Sequence, residues 1–365
     1  MVQERYYPWR LCMRENKLPL PTQAREYREH EVADNGRVET LLAAISDQRE
    51  LLKEMKGRHL LSAWHLDREL VMQLMRQSAL YEQAPRPHGT SLTGQILINA
   101  FLDQPVNRTR MSFESAAYSL GASVMDVDHL PTGHTDDVGA MVEIAEIFNS
   151  YGDLVVLRTA DTEGFDAIVQ DSQIPVINGG NGEVENPSQA LVDLYTLFKW
   201  RPELMSPDVE DDRKIQIGIF GAPGHTRTVH SLMILMTQFP WAFSRVLVFG
   251  RIAGIFRPQQ REELEAKGLN IETTAELYPK ETMFGCLTKE LPQMDVLYSH
   301  LLKPLDISKI DRDMAIDALK PNAMVLCPTV HMKEFGRLLD DSSNNGYFSQ
   351  ARNAAYVRMS VLQAI

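Results

Sequence analysis

The chain has 365 residues, enough for two domains of ordinary size, and its 44% hydrophobic and 24% charged content is that of a water-soluble globular protein. A net charge of −12 argues against a general nucleic-acid binder, because phosphate backbones are held by basic surface, but it leaves small anions open as ligands wherever arginines gather in a cleft. Cys12, Cys286 and Cys327 are far apart and show neither CxxC pairing nor zinc spacing, so no metal or disulfide framework is expected and a reduced, cytoplasmic setting fits. The first twenty residues lack the apolar core of a signal peptide, and no run of about 18 apolar residues offers a membrane span.

Residues 1–58 are polar and charged and read as an N-terminal extension containing a helix over Val38–Met55. A second helix is expected over Leu60–Gln83, followed by a proline-rich loop at Ala84–His88. From there strands and helices alternate. Ile96–Leu102 is a short apolar run with β-branched residues, the profile of a strand buried in a parallel sheet. A helix then carries Met111, Phe113, Ala116, Ala117 and Leu120 at helical spacing, with Asn107 as candidate N-cap and Gly121 where a C-terminal glycine belongs. The pattern continues with strand Ala122–Val127, a polar loop His129–Asp137, helix Val138–Ser150, strand Leu154–Leu157, helix Gly164–Asp171 and strand Pro175–Asn178. A glycine-rich loop Gly179–Pro187 and helix Ser188–Trp200 complete this half.

Arg201–Arg213, with two prolines and five acidic residues, reads as a linker. Beyond it lie strand Ile215–Gly221, a turn at Ala222–Thr226, helix Arg227–Phe239, strand Arg245–Phe249, helix Pro258–Lys267, strands Asn270–Thr273, Val296–Tyr298 and Met324–Leu326, and a terminal helix Gln350–Ile365. The spacing predicts two doubly wound parallel-sheet α/β domains, at 59–200 and 213–345, between the N-terminal helical extension and a C-terminal helix at 346–365.

In open α/β sheets ligands collect beyond the carboxyl ends of the strands. Taking the residues there in turn gives Asn107, Arg108 and Thr109, then Arg158, then Asn186 and Gln189 at a helix start, then Arg227, His300 with Lys303, and Pro328. Each alone has an ordinary explanation as a cap or a surface cation. Together, three arginines at different loops beyond the strands favour a working ligand site for an anion. Gly218 to Gly224 does not space as GxGxxG, which argues against a dinucleotide, and no cofactor is expected.

The same stretches resemble a known family. PVNRTRMSFESAAYSLGAS is similar to the STRTR-plus-helix signature of the aspartate and ornithine carbamoyltransferases, and IPVINGGNGEVENPSQALVDLYTL to their PVINAGDGxxxHPTQxLLDLxT segment. TRTVHSL after a strand and YFSQARNAAYVRMSVL near the end follow in register, so the resemblance covers residues 59–365 and leans toward the aspartate branch. It implies that Arg108 and Thr109 meet the phosphate and carbonyl of carbamoyl phosphate and that Arg158 bridges both. It puts Gln189, with the carbonyl of Pro328, on the carbamoyl amide, and Arg227 on a carboxylate of the amino acid acceptor. It also implies a homotrimer. Such chemistry needs positioning and oxyanion stabilisation, not a metal or a covalent intermediate.

The departures fall on the contact loops. Val106-Asn107 replaces the family's Ser-Thr, and Asn186 stands where the family has a histidine. His129–Asp137 carries Asp136 and Asp137 near an expected lysine. Leu301-Leu302-Lys303 replaces R-x-Q, and Cys327 to His331 replaces HPLPR. The expectation is therefore a divergent carbamoyltransferase whose amino acceptor is other than, or additional to, aspartate. The alternative is a family member that has lost carbamoyl transfer and either catalyses another reaction on an amino or carboxylate substrate or serves as a binding or regulatory subunit.

Overall fold

A computed structural model describes residues 30–84, 89–102, 107–128, 138–250, 254–300, 317–328 and 342–365. The loop His129–Asp137, the segment Leu301–Lys303, residues 329–331 and most of the N-terminal extension lie outside them.

The described residues begin with α1 (His30–Ala44), followed by α2 (Arg68–Gln83). The first sheet follows, from β1 (Ile96–Phe101), β2 (Ser123–Val127), β3 (Leu154–Thr159) and β4 (Val176–Asn181), interleaved with α3 (Arg108–Ser119), α4 (Val138–Tyr151) and α5 (Thr162–Asp171). Its strands are all parallel in the order β2-β1-β3-β4. Then come α6 (Pro187–Trp200), β5 (Ile215–Phe220), α7 (Arg227–Met236), β6 (Phe243–Phe249), α8 (Gln260–Ala266), β7 (Ile271–Thr273), α9 (Thr274–Leu277), α10 (Met283–Glu290), β8 (Val296–Ser299) and β9 (Met324–Leu326). These strands make a second parallel sheet ordered β7-β6-β5-β8-β9. The last helix, α11 (Tyr347–Ala364), returns to pack on α2, α3 and α6 of the first unit and touches β9 of the second.

The expected pair of parallel-sheet α/β units is the observed one, for the reason given by the sequence pattern: β1, β3 and β5 are buried almost throughout and so read as mainly apolar, β-branched-rich runs. The two units meet along α6 and α7, where Phe198 and Phe239 stack edge to face with centroids 4.9 Å apart. Burying each ring contributes about 2 kcal/mol, with roughly a further 1 kcal/mol from the edge-to-face geometry. Glu185, between β4 and α6, ties the same seam together. Its Oε1 accepts from Ser62 Oγ at 2.5 Å, and its Oε2 accepts from Ala63 N–H at 2.7 Å and Ser231 Oγ at 3.1 Å.

Several boundaries differ from the sequence reading. The helix expected over Val38–Met55 is broken into α1 and a 3-10 helix at Arg49–Met55. The break is held by Gln73 of α2, whose Oε1 accepts from Gln48 N–H while its Nε2 donates to Ser46 C=O, so a distant side chain replaces local helical bonds. The helix expected from Leu60 begins only at Arg68, capped by Asp67, because Leu60 adds a parallel bridge to Ile177 at the sheet edge. Gly179 and Gly180 belong to β4 rather than to a loop, since Arg158 and Thr159 of β3 pair with Gly180 and Asn181 beyond a register shift. The supposed linker Arg201–Arg213 contains two 3-10 turns, with Leu204 and Met205 buried.

Candidate functional site

Asn107 leaves β1 in an extended conformation, and its Oδ1 accepts from Arg110 N–H at 3.0 Å, satisfying one of the free donors at the start of α3. The cap fixes the first turn. Thr109 is buried there, and Arg108 reaches out to the second sheet, donating from Nη1 to the carbonyl of Cys327 at 2.9 Å and from Nη2 to that of Tyr347 at 3.3 Å. Burial pushes the Arg108 guanidinium below its ordinary pKa, with nearby Asp193 opposing.

Arg158 ends β3 and donates from Nη1 to Gly179 C=O at 3.4 Å. Arg227 opens α7 and donates from Nη1 to Gly182 C=O. Both guanidinium groups lie against Gly180. A Cβ there would sit 3.1 Å from Cζ and Nε of Arg227 and 3.4 Å from Nη1 of Arg158, and Gly180 has φ +137. Only glycine meets both demands, so the backbone of β4 is cut away where arginines from the two units converge.

Asn186 is the N-cap of α6 and is almost fully buried. Its Oδ1 accepts from Gln189 N–H at 3.2 Å and from Ser188 Oγ at 3.1 Å, while Pro187 occupies the first helical position, where no N–H is needed. The carbonyl half of Asn186 is thereby committed to the helix. Gln189 is committed at both ends as well: Nε2 donates to Asp193 Oδ1 at 2.8 Å, and Oε1 accepts from Arg358 Nη2 at 3.3 Å. His300 follows β8, and its backbone N–H donates to Phe220 C=O at 2.8 Å. Pro328 follows Cys327 at the end of β9 and is half-buried, whereas Lys303 lies outside the described residues.

Sequence reasoning passed over four residues beneath these arginines. Asp193 is completely buried, and its carboxylate accepts from Gln189, from Gln350 Nε2 at 2.6 Å and from Tyr298 OH at 2.7 Å. Gln350 also accepts the N–H of Cys327 at 3.0 Å, so one carboxylate ties α6 to α11, β8 and the end of β9. Burial raises the Asp193 carboxyl to about 6, against its three donors and Arg108. Burial and the same carboxylate push the Tyr298 phenol well up. Arg358 of α11 is also completely buried, held over the Phe113 ring at 5.0 Å, and burial together with Arg108 lowers it to about 9. Two signals were available. Asp193 stands one helical turn after Gln189, on the same face, and Arg358 interrupts an apolar helix.

Among the described residues no group of His, Cys, Asp and Glu could hold a metal ion. The arrangement is a cationic cleft between two parallel sheets, floored by one buried carboxylate and two carboxamides. It can hold an oxyanion and place donors around a carbonyl.

Fold and cleft define a protein of the transcarbamoylase fold, two parallel-sheet α/β units with a shared site. Residues 58–199 match the family described as aspartate/ornithine carbamoyltransferase, carbamoyl-P binding domain. The chain is 27% identical to an aspartate carbamoyltransferase catalytic subunit of Alkaliphilus oremlandii over 84% of its own length and 90% of that protein's. It superposes on aspartate transcarbamoylase from Trypanosoma cruzi in complex with phosphate with a TM-score of 0.71 at 25% identity, covering 86% of this chain and 97% of the other. The same enzyme in complex with carbamoyl aspartate and phosphate gives a TM-score of 0.70, at the same identity and coverage. Residues 58–199 thus match the carbamoyl-phosphate-binding domain of that family, and the chain as a whole shares the fold of the aspartate transcarbamoylases and is similar to them over most of its length.

Proposed function

We propose that this protein transfers a carbamoyl group from carbamoyl phosphate to the amino group of an acceptor other than, or in addition to, aspartate. The observation that carries the reading is the convergence of Arg158 and Arg227, one from each unit, on the bare backbone of Gly180. In this reading Arg158, Arg108, Thr109 and the capped N-terminus behind Asn107 receive the phosphate, and Arg227 receives a carboxylate of the acceptor. The amine attacks the carbonyl carbon, a C–N bond forms, the bond from carbon to the phosphate oxygen breaks, and nitrogen loses a proton. The arginines offset the charge gathering on the departing phosphate. Asn186 can donate a hydrogen bond to the carbonyl but holds no charge. His300 is assigned to the acceptor side, Lys303 is added to it on sequence alone, and the carbonyl of Pro328 is assigned to the carbamoyl amide beside Gln189. The relatives support this reading: the Trypanosoma cruzi enzyme has been seen with phosphate and with carbamoyl aspartate.

The acceptor's difference from aspartate rests on sequence alone, on Leu301-Leu302-Lys303 where the resemblance implies an arginine and a glutamine. A homotrimer in a reducing cytoplasm completes the proposal. Exposed Tyr118 of α3 and Met125 of the edge strand β2 offer an apolar surface for a second copy, and Cys286 and Cys327 are buried thiols outside any disulfide. Among the described residues no helix is long and apolar enough to cross a membrane.

One observation favours a second reading, a family member without carbamoyl transfer that binds an anion or a partner subunit. Gln189 already spends both ends of its amide on Asp193 and Arg358. A colorimetric ureido assay separates the two. With carbamoyl phosphate and a panel of amino acids including aspartate, wild type is expected to give product with at least one acceptor and Arg158→Ala to lose it by about 100-fold or more. Product equal in both proteins refutes the assigned site, and no product with any acceptor selects the second reading.

A further inference from the structure

A groove of about 590 Å³ runs between α3 and α11, and its lining does not include Gly180, Arg158 or Arg227. It exists because the facing side chains are short: Ser112 and Ser115 on α3, and Ala351, Ala354 and Ala355 on α11, leave space between two helices that pack together elsewhere along their length. Its cations are Arg108, Arg352 and Arg358, and among the described residues no carboxylate lines it.

Arg358 is the informative member. It is completely buried, its Nη1 donates to Ser112 Oγ, its Nη2 donates to Gln189, and its Nε meets no acceptor among the described residues. Among the described residues no carboxylate stands within ion-pair distance of it. A guanidinium taken from water without an acid is costly, and its cost falls when an anion enters beside it. The apolar part of the lining is made by the alanine steps of α11 and by Met111 of α3, which is 60% exposed.

We propose that the α3–α11 groove binds a small organic oxyanion carrying a compact apolar body, with its charged end toward Arg358 and Arg352 and its body along the alanine steps. The groove adjoins the transfer cleft at Arg108 and Gln189 but lies away from the arginines at Gly180, so it would serve as a second ligand site on the same unit.

Calorimetric titration of the full chain with phenylphosphonate and with benzoate tests it, with inorganic phosphate as the control that lacks a body. Three variants locate the binding: Ala355→Leu, which fills the groove without touching a cation, Arg352→Gln, and Arg158→Ala in the cleft. Circular dichroism checks that each is folded. At least one aromatic oxyanion is expected to bind wild type and Arg158→Ala alike and to bind Ala355→Leu and Arg352→Gln at least about tenfold more weakly. Comparing phenylphosphonate with benzoate shows whether the site takes a phosphonate or a carboxylate. Absence of binding by either probe overturns the proposal, as does binding indifferent to Ala355→Leu. Loss in Arg158→Ala also overturns it by putting the probe in the cleft. Sedimentation in parallel covers the remaining occupant: if Ala355→Leu lowers the assembled mass and no probe binds wild type, a second copy fills the groove and the proposal fails. Because Arg158→Ala breaks transfer but not this binding, failure of one reading leaves the other standing.

Discussion

Two cations lie fully inside the helical layer under the first sheet, and they are treated in opposite ways. Lys199 of α6 is 2% exposed and has its charge matched: Nζ donates to Glu82 Oε1 at 2.9 Å and to Asn353 Oδ1 at 2.9 Å, and Tyr195 OH completes the same glutamate at 2.6 Å. Arg358 of α11 is equally buried, yet among the described residues it meets a hydroxyl, an amide oxygen and the face of the Phe113 ring but no acid, and its Nε has no hydrogen-bond acceptor. A paired charge in a helix seam fixes how α2, α6 and α11 dock. A charge left short of an acid beside a groove is what a ligand site needs before its ligand arrives.

The contrast can be broken first at its paired end. Glu82→Gln keeps the shape but leaves the buried ammonium without its acid, and urea unfolding is expected to show a loss of about 3–5 kcal/mol. A loss under about 1 kcal/mol would mean that Lys199 finds water or shifts its proton, and the distinction between the two cations would fail.

The carboxylate between the two regions gives the next largest effect. Asp193 ionises at about 6 when folded, above the ordinary value of 3.8. The folded state therefore holds the proton where the unfolded chain has lost it. That contribution is complete below about pH 4 and disappears as pH rises through about 6. Relative to Asp193→Asn, which cannot titrate, wild type is expected to gain about 2 kcal/mol of stability as pH falls from about 7.5 to about 4.5. Unfolding curves at both ends of that range check the sign, and a constant difference would show that the carboxylate is not desolvated as described.

Smaller effects sharpen the picture. Asn186→Ala removes the cap of α6 and is expected to lower stability by about 1 kcal/mol, measurable as a fall in Tm. A larger loss of transfer than of stability would show that its amide also serves the cleft. Arg358→Met should change stability least, within about 1 kcal/mol in either direction, because the desolvation it removes offsets the hydrogen bonds it loses. A loss comparable to that of Glu82→Gln in the same urea titration would make Arg358 a structural cation like Lys199.

The two sheets were legible because parallel strands covered on both faces leave mainly apolar runs such as Ile96–Phe101 and Ile215–Phe220, each with a single polar side chain, Asn99 and Gln216. The start of α3 was legible for a local reason, Asn107 capping three residues ahead. What escaped the sequence was set by partners far along the chain. Gln73 breaks a helix 25 residues away, and β3 draws Gly179 and Gly180 into a strand that composition reads as a loop. Of the candidate site, Arg108, Arg158, Arg227 and Gln189 were proposed from their places after strands or at helix starts. Asp193 and Arg358 were not, since a charge set among apolar neighbours in a helix gains meaning only from what the fold brings against it: Tyr298 and Gln350 in one case, Ser112 and Gln189 in the other.

Carbamoyl transfer at the Gly180 cleft is tested most directly by following ¹³C-labelled carbamoyl phosphate by NMR in the presence of mixed amino acids. The labelled carbon is expected to move into a ureido resonance with wild type and not with Arg158→Ala. Decay to bicarbonate alone, at the rate seen without protein, would contradict transfer at this cleft.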